Sequence, residues 1–296
     1  MELYKAHGAG NDFIVLPDPD GRIDLDAATV MALCDRRFGI GADGVLRLAP
    51  AEDAHVFMDY RNGGDGAPVE MCGNGVRVVA RHLLAHGWIT DEVLRIDTRA
   101  GVRTATVARD DEGRIASVTV DMGPPAFAPE ALPFTGGEVR GGWHHLTIDG
   151  TDVALLPVSM GNPHAVLLCD DPDDAPVTTL GPVIERSSAF PKGTNVEFVA
   201  VRDAHTLDLR VWERGVGETM ACGTGVCGAV AALTAAGHLD VGVDVTVRVP
   251  GGTLVAAWGG GPDDPVLLTG PAEQVATITL DPDWAARNGL ASLLDT

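Results

Sequence analysis

Cys72-Gly73-Asn74-Gly75-Val76 returns 150 residues later as Cys222-Gly223-Thr224-Gly225-Val226. A second pair keeps almost the same spacing. Gly10-Asn11-Asp12-Phe13, leading into Ile14-Val15-Leu16, returns at an offset of 151 as Gly161-Asn162-Pro163-His164, leading into Ala165-Val166-Leu167-Leu168. One short glycine-rich match is an ordinary coincidence, whereas two in the same order at one spacing point to duplication. A period this long marks a repeated domain, since solenoids and propellers repeat about every 20–50 residues. At 296 residues the chain is long enough for two domains, each with its own core.

The coarse secondary structure around these segments supports that reading. In the first half a strand over 13–16 precedes a helix over 25–37, opened by Asp24 and Asp26 and followed by Gly39. The segment at Cys72 opens a helix over 75–86, whose Val76, Val79, Ala80, Leu83 and Leu84 fall at helical spacing before Gly87. Strands over 93–98, 102–107 and 115–121 follow, and the proline-rich stretch 123–133 reads as a linker. In the second half, 146–148 and 153–157 form a hairpin around Asp149-Gly150. Strands are expected over 165–169, 196–201 and 207–211, with a helix over 180–187. The segment at Cys222 opens a helix over 225–236 that is apolar nearly all round, which suits burial inside a curled sheet. Strands over 243–249, 254–257 and 266–268 complete the half.

The net charge of −21, with Lys5 and Lys192 as the sole lysines, excludes a nucleic-acid surface. No apolar run is long enough for a membrane span, and Met1-Glu2-Leu3-Tyr4-Lys5 has no signal-peptide pattern, so a cytoplasmic protein is expected. Cysteines 34, 72, 169, 222 and 227 make an odd count, which argues for free thiols over a disulfide framework. Cys34 and Cys169 lie in apolar runs and read as small buried hydrophobes. No metal site is expected.

Cys72 and Cys222 differ from these, because each precedes Gly-x-Gly and then a helix. The glycines let a ligand approach the backbone. The first N–H groups of the helix form a carboxylate site, and their partial positive charge stabilises a thiolate. Inverting a stereocentre means taking a proton from one face and returning one to the other. A thiolate and a thiol flanking one carbon do this in both directions by exchanging roles. The carbanion-like transition state needs fixed donors around the substrate carboxylate in a dry site, which two helix starts supply without a cofactor. A tight turn with a chance cysteine remains the bland alternative for either copy alone.

At these residues the chain resembles the diaminopimelate epimerases, a family grouped with proline racemases and phenazine-biosynthesis isomerases. The resemblance runs through Lys5-Ala6-His7-Gly8-Ala9-Gly10-Asn11-Asp12-Phe13, Gly39-Ile40-Gly41-Ala42-Asp43-Gly44, Met58-Asp59-Tyr60-Arg61-Asn62 and Met71-Cys72-Gly73-Asn74-Gly75. It continues in Gly161-Asn162-Pro163-His164, in Gly193-Thr194-Asn195-Val196-Glu197-Phe198, and from Glu213-Arg214-Gly215 to Cys222-Gly223-Thr224-Gly225. It implies cofactor-independent interconversion of LL- and meso-2,6-diaminoheptanedioate, for lysine and peptidoglycan precursors, with Cys72 and Cys222 as the catalytic pair. Gly73, Asn74, Gly223 and Thr224 then match the groups holding the reacting carboxylate. Asn11, Asn62, Asn162, Asn195, Glu213 and Arg214 match positions binding the two amino-acid ends, and His164 with Glu213 match groups assisting proton traffic.

The implied fold is α+β: two pseudo-symmetric domains, each a curled, mainly antiparallel sheet around a central helix. The halves are expected at 1–122 and 123–274, with 275–296 returning to the first, and family members are commonly homodimers. Two departures stand out. Asn62 lies ten residues before Cys72 where the family has nine, and Gly44 follows Asp43 where some relatives carry Gln. A long substrate charged at both ends suits several amides, a glutamate for an ammonium and an arginine for a distal carboxylate. A racemase for proline or hydroxyproline is the nearest alternative. Asn74, where that group tends to carry His, and Arg214 speak against it. A non-catalytic amino-acid binder or redox-sensing dithiol is the alternative of another class.

Overall fold

The computed structural model describes residues 2–128, 130–148, 150–290 and 293. The chain divides into two compact units, 1–120 with 270–296, and 121–269.

The first unit opens with β1 (Leu3–Gly8) and β2 (Asn11–Pro17), then α1 (Ala27–Cys34), β3 (Gly44–Ala49) and β4 (Val56–Asn62). After these come α2 (Gly73–Ala85), β5 (Val93–Asp97), β6 (Arg103–Arg109) and β7 (Ile115–Asp121). β1 and β2 are antiparallel, β2 and β3 parallel, β3 and β4 antiparallel, β4 and β5 parallel, and β5, β6 and β7 antiparallel in turn. α2 packs against β1 through β6, so the sheet wraps it. Its Val76, Val79, Ala80 and Leu83 are buried, as their spacing predicts.

α1 and α2 differ in their bounds from the sequence reading. α1 starts after Asp26, whose carboxylate caps it by accepting from the Thr29 N–H. It ends at Cys34 instead of reaching 37 because Asp35 accepts from the N–H groups of Arg37 and Phe38, both at 2.7 Å, and turns the chain. α2 begins at Gly73, two residues early, because Cys72 itself is the N-cap, with extended backbone at φ −145° and ψ 114°.

The second unit carries β8 (Glu138–Arg140), β9 (Trp143–Ile148), β10 (Thr151–Ser159), β11 (Pro163–Leu168) and α3 (Val177–Glu185). Next come β12 (Asn195–Asp203), β13 (Thr206–Glu213), β14 (Gly217–Thr219), α4 (Gly223–Ala235), β15 (Val245–Val249), β16 (Gly252–Trp258) and β17 (Val266–Gly270). β9 and β10 pair antiparallel with Ile148 opposite Thr151; of the expected turn residues Asp149-Gly150, Asp149 lies outside the described residues. α3 starts at Val177 instead of 180 and keeps Pro182 within it. Among the described residues of the stretch 123–133 no strand forms, yet Ala126 is bridged to Ser159 at the end of β10.

The pairing pattern of the first unit recurs here. β10 and β11 are antiparallel, β11 and β12 parallel, β12 and β13 antiparallel, β13 and β15 parallel, and β15, β16 and β17 antiparallel. Registers agree as well: Phe13 faces Gly44 in one unit and His164 faces Asn195 in the other, 151 residues on in both strands. α4 spans 13 residues like α2, is buried on nearly every side, and packs against β10, β11, β12 and β16. The architecture is the expected α+β duplication with mainly antiparallel sheets.

After β17 the chain forms β18 (Glu273–Ile278), antiparallel to β1, and α5 (Pro282–Arg287). Leu280, Ala285, Leu290 and Leu293 join the core of Leu3, Ile14, Val30 and Leu33. Of the terminal stretch 275–296, residues 291, 292 and 294–296 lie outside the described ones. Among the described residues no helix is long and apolar enough to cross a membrane.

An ionic knot ties the entry of this unit. Asp12 on β2 accepts from Lys5 on β1 at 2.5 Å and from both terminal nitrogens of Arg36, which also reaches Asp43 at 2.7 Å. Burial would raise the Asp12 carboxyl, but Arg36 and Lys5 outweigh it and hold it at about 2 against an ordinary 3.8.

Two stability measurements test this construction. Leu83→Ala, at a site 1% exposed on the inner face of α2, should cost about 2–5 kcal/mol in urea unfolding. The Asp12 contribution is fully present above the unfolded carboxyl value and is lost as pH falls from 3.8 toward about 2. Asp12→Asn should therefore flatten the loss of stability across that window, by on the order of 1–2 kcal/mol in acid titrations of the unfolding midpoint.

Candidate active site

Both cysteines occupy the same local position: the residue whose carbonyl receives the first helical bond, from Val76 N–H to Cys72 and from Val226 N–H to Cys222. The N–H groups of Gly73–Gly75 and Gly223–Gly225 therefore lie outside the ladder of their own helices. A side chain at the second glycine would crowd the neighbouring strand, more severely in the second unit. A Cβ on Gly75 would stand 3.1 Å from Leu46 Cδ2, and one on Gly225 2.7 Å from Glu197 Oε1 and 3.4 Å from Cys222 Sγ.

In the first unit, Asn11 at the head of β2 connects the predicted residues. Its Oδ1 lies 3.7 Å from Cys72 Sγ and accepts from Asn74 Nδ2 at 3.2 Å. Asn74 is held in turn by the buried Arg77, which donates to its Oδ1 at 2.8 Å. Asn11 is oriented by Asp43, which accepts from its Nδ2 at 2.7 Å, a role the sequence reading did not assign. Asp43 lies in the Gly41-Ala42-Asp43-Gly44 motif, but its contact with Asn11 joins positions 32 residues apart. Asn62, the last residue of β4, closes its own turn by accepting from Gly64 N–H at 2.7 Å. Gly63 sits where a Cβ would come within 2.8 Å of Cys34 Cβ and 2.9 Å of two carbonyl oxygens, so the longer loop must carry glycine there.

In the second unit four contacts run in series. His164 Nδ1 and Glu197 Oε1 are 2.7 Å apart, and His164 Nε2 and Asn162 Oδ1 are 3.0 Å apart. Asn162 Nδ2 donates to Thr224 Oγ1 at 3.3 Å, and that hydroxyl is 3.4 Å from Cys222 Sγ. His164 follows Pro163 and resembles a loop histidine in sequence, yet it lies on β11 with no exposed surface. Glu197, within a motif already quoted, was given no role by the sequence reading. Glu213 ends β13 and accepts from the Thr219 hydroxyl. Burial pushes the Glu213 and Glu197 carboxyls up. Burial also pushes the Cys222 thiol well up, with Glu213 and Glu197 adding to it and the Thr224 hydroxyl and Gly225 N–H opposing.

Asn195 and Arg214 stand together at the strand ends. The Asn195 amide donates to the Pro163 carbonyl at 3.0 Å and accepts from Arg214 N–H at 2.9 Å, so it fixes the backbone on which Arg214 is carried. The exposed Arg214 guanidinium donates to the Lys192 carbonyl at 3.1 Å. Cys34 and Cys169 are driven by burial to about 12 and about 11, values that leave both as thiols at neutral pH. Among the described residues no cluster of His, Cys, Asp and Glu is arranged to hold a metal ion.

Each unit thus presents a cysteine at a glycine-lined helix start, flanked by amides and, in the second unit, by carboxylates and an imidazole. Solved structures share the architecture. A hydroxyproline epimerase from Agrobacterium vitis superposes with TM-score 0.66 at 18% identity, covering 96% of this chain and 93% of that one. A Bacillus anthracis phenazine biosynthesis protein gives TM-score 0.66 at 16% identity, covering 95% and 99%. At such identities the likeness speaks for the fold alone. Sequence relatives are much nearer. A diaminopimelate epimerase from Acidovorax ebreus is 44% identical over 292 residues, 95% of this chain and 98% of the relative. One from Geobacillus thermodenitrificans is 42% identical over 281 residues, 92% and 94%. The family model for diaminopimelate epimerase matches residues 3–128 and 156–275. With most of its length matched and its duplicated cysteine segments inside the match, the chain belongs to the diaminopimelate epimerase family.

Proposed function

We infer that this protein interconverts LL- and meso-2,6-diaminoheptanedioate by a two-base mechanism in which Cys72 and Cys222 exchange the roles of thiolate and thiol. The observation that carries the reading is the repeated placement of a cysteine as N-cap of a glycine-started helix in both units. The α-proton of an amino acid is a very weak acid, so the enzyme must lower the energy of the carbanion-like state. Backbone N–H groups at the two helix starts would hold the reacting carboxylate and stabilise the charge that develops there. Taking the proton on one face and delivering another on the opposite face inverts the centre. Reversal of thiol and thiolate then serves the reverse reaction.

The supporting residues are assigned to this step by their match to the family's motifs. Gly73, Asn74, Gly223 and Thr224 would receive the reacting carboxylate. Asn11, Asn62, Asn162, Asn195, Glu213 and Arg214 would read the two amino-acid ends, with Arg214 suited to a distal carboxylate by its forked donors. His164 and Glu213 would assist proton movement at the sulfurs. No added cofactor is called for. The same reading carries a cytoplasmic setting and a homodimer, which sedimentation at twice the chain mass would check.

Incubation with the LL substrate in heavy water should place deuterium on the α-carbon without any added cofactor, and dependence on pyridoxal phosphate would sink the reading. Cys72→Ala and Cys222→Ala should each lower inversion by about 10²–10⁴-fold or more. A panel including proline and hydroxyproline should show turnover of the diamino diacid alone.

A further inference from the structure

The duplication supplies an internal control for the surroundings of each sulfur. Val15 faces Leu46 across β2 and β3, while Val166 faces Glu197 across β11 and β12. Phe13 stands where His164 stands, and Asn62 and Glu213 are the last residues of β4 and β13. The equivalent glycines agree, Gly75 backing onto Leu46 and Gly225 onto Glu197. The first unit therefore fills the space behind its cysteine with a phenylalanine and a leucine. The second fills it with an imidazole and a carboxylate, both without exposed surface.

Burying that pair is costly. Removing each charged group from water costs several kcal/mol, and packed hydrophobic side chains of similar volume usually do as well or better for stability. The first unit demonstrates that this scaffold accepts the hydrophobic solution. Glu197 Oε2 also lies buried without a hydrogen-bond partner among the described residues, a further cost that packing does not explain. The pair leads somewhere: from Glu197 through His164, Asn162 and Thr224 to the Cys222 sulfur.

We propose that Glu197 is a positioning residue for Cys222, acting through His164, Asn162 and Thr224, and that its carboxylate, which the contact with His164 keeps ionised against the effect of burial, favours the protonated thiol at Cys222 in the free enzyme. This rests on the epimerase reading and assigns unequal resting roles to the two sulfurs. Other charges near α4 are few. β16 carries no titratable side chain, and β10 carries only Asp152, exposed and bonded to Arg140 and His145. β11 brings His164 alone, and on β12 Arg202 and Asp203 are exposed at the far end. Glu213 remains as the second carboxylate at the sulfur. The direction of the Cys222 shift, upward from burial, Glu213 and Glu197, agrees with the proposal.

The test uses Glu197→Gln, which keeps a neutral acceptor for His164, and Glu197→Leu, which copies the first unit. Three readouts are needed: the 13Cβ resonance of Cys222 against pH, the 15N resonances of His164, and kcat and KM for α-proton exchange. In Glu197→Gln the Cys222 thiol should ionise about one pH unit lower, moving the alkaline limb of kcat/KM down with it, while KM stays within about twofold. In Glu197→Leu the His164 Nδ1 resonance should also move and kcat should fall about tenfold or more. Unchanged Cys222 titration and kcat/KM limb in a Glu197→Gln protein of wild-type melting temperature would overturn the proposal, whether or not Glu197→Leu folds. Absence of exchange in the wild type would defeat the epimerase reading instead. The Cys222 and His164 resonances need no turnover and would still decide the positioning claim.

Discussion

Two helices must begin at a cysteine while pressed against a sheet, and much of the molecule follows from that requirement. A helix start leaves its first N–H groups without partners in its own ladder. Here those starts are built from Gly-x-Gly, and the second glycine backs directly onto the neighbouring strand, at Leu46 in one unit and Glu197 in the other. A side chain at that point would crowd Leu46 in one unit and Glu197 in the other, and those neighbours would have to give way. The curled sheet, the apolar inner faces of α2 and α4, and the parallel pairings that bring β3 beside β2 and β12 beside β11 all serve to seat that first turn.

The sequence disclosed α1 to α4 and the duplication because those signals are local, whereas α5 went unread. Val76, Val79, Ala80 and Leu83 fall on one face, and the cysteine phrase repeats within a few residues. β1, β3 and β4 escaped because their partners are remote and their composition is mixed. β1 carries Lys5 and His7 among apolar residues, and its pairing with β18 joins positions more than 260 residues apart. α1 is shorter than its sequence pattern predicts because the bonds that Asp35 accepts from Arg37 and Phe38 depend on local geometry that composition does not reveal.

The surroundings of the cysteines show the same divide between local and distant information. The helix-start cysteines and their glycines could be read directly. Asp43 could not, since its hold on Asn11 spans β2 and the turn before β3. His164 follows a proline and is locally indistinguishable from a turn residue; only the parallel register with β12 buries it against Glu197. A buried acid within Asn195-Val196-Glu197-Phe198 looks like an ordinary strand position until its partner strand is known.

Between the strand repeat and the helix repeat the offset slips from 151 to 150, and the first copy holds the additional residue in the turn after Asn62. Both helices nevertheless kept the same length and the same cysteine at their head. Divergence after the ancestral doubling was thus absorbed where a surface turn could lengthen and where side chains behind the sulfur could be exchanged. The seat of the sulfur itself was inherited intact. In such a lineage an altered loop is a poor guide to lost chemistry, and the residue standing behind the second glycine is the better record of how far the twins have parted.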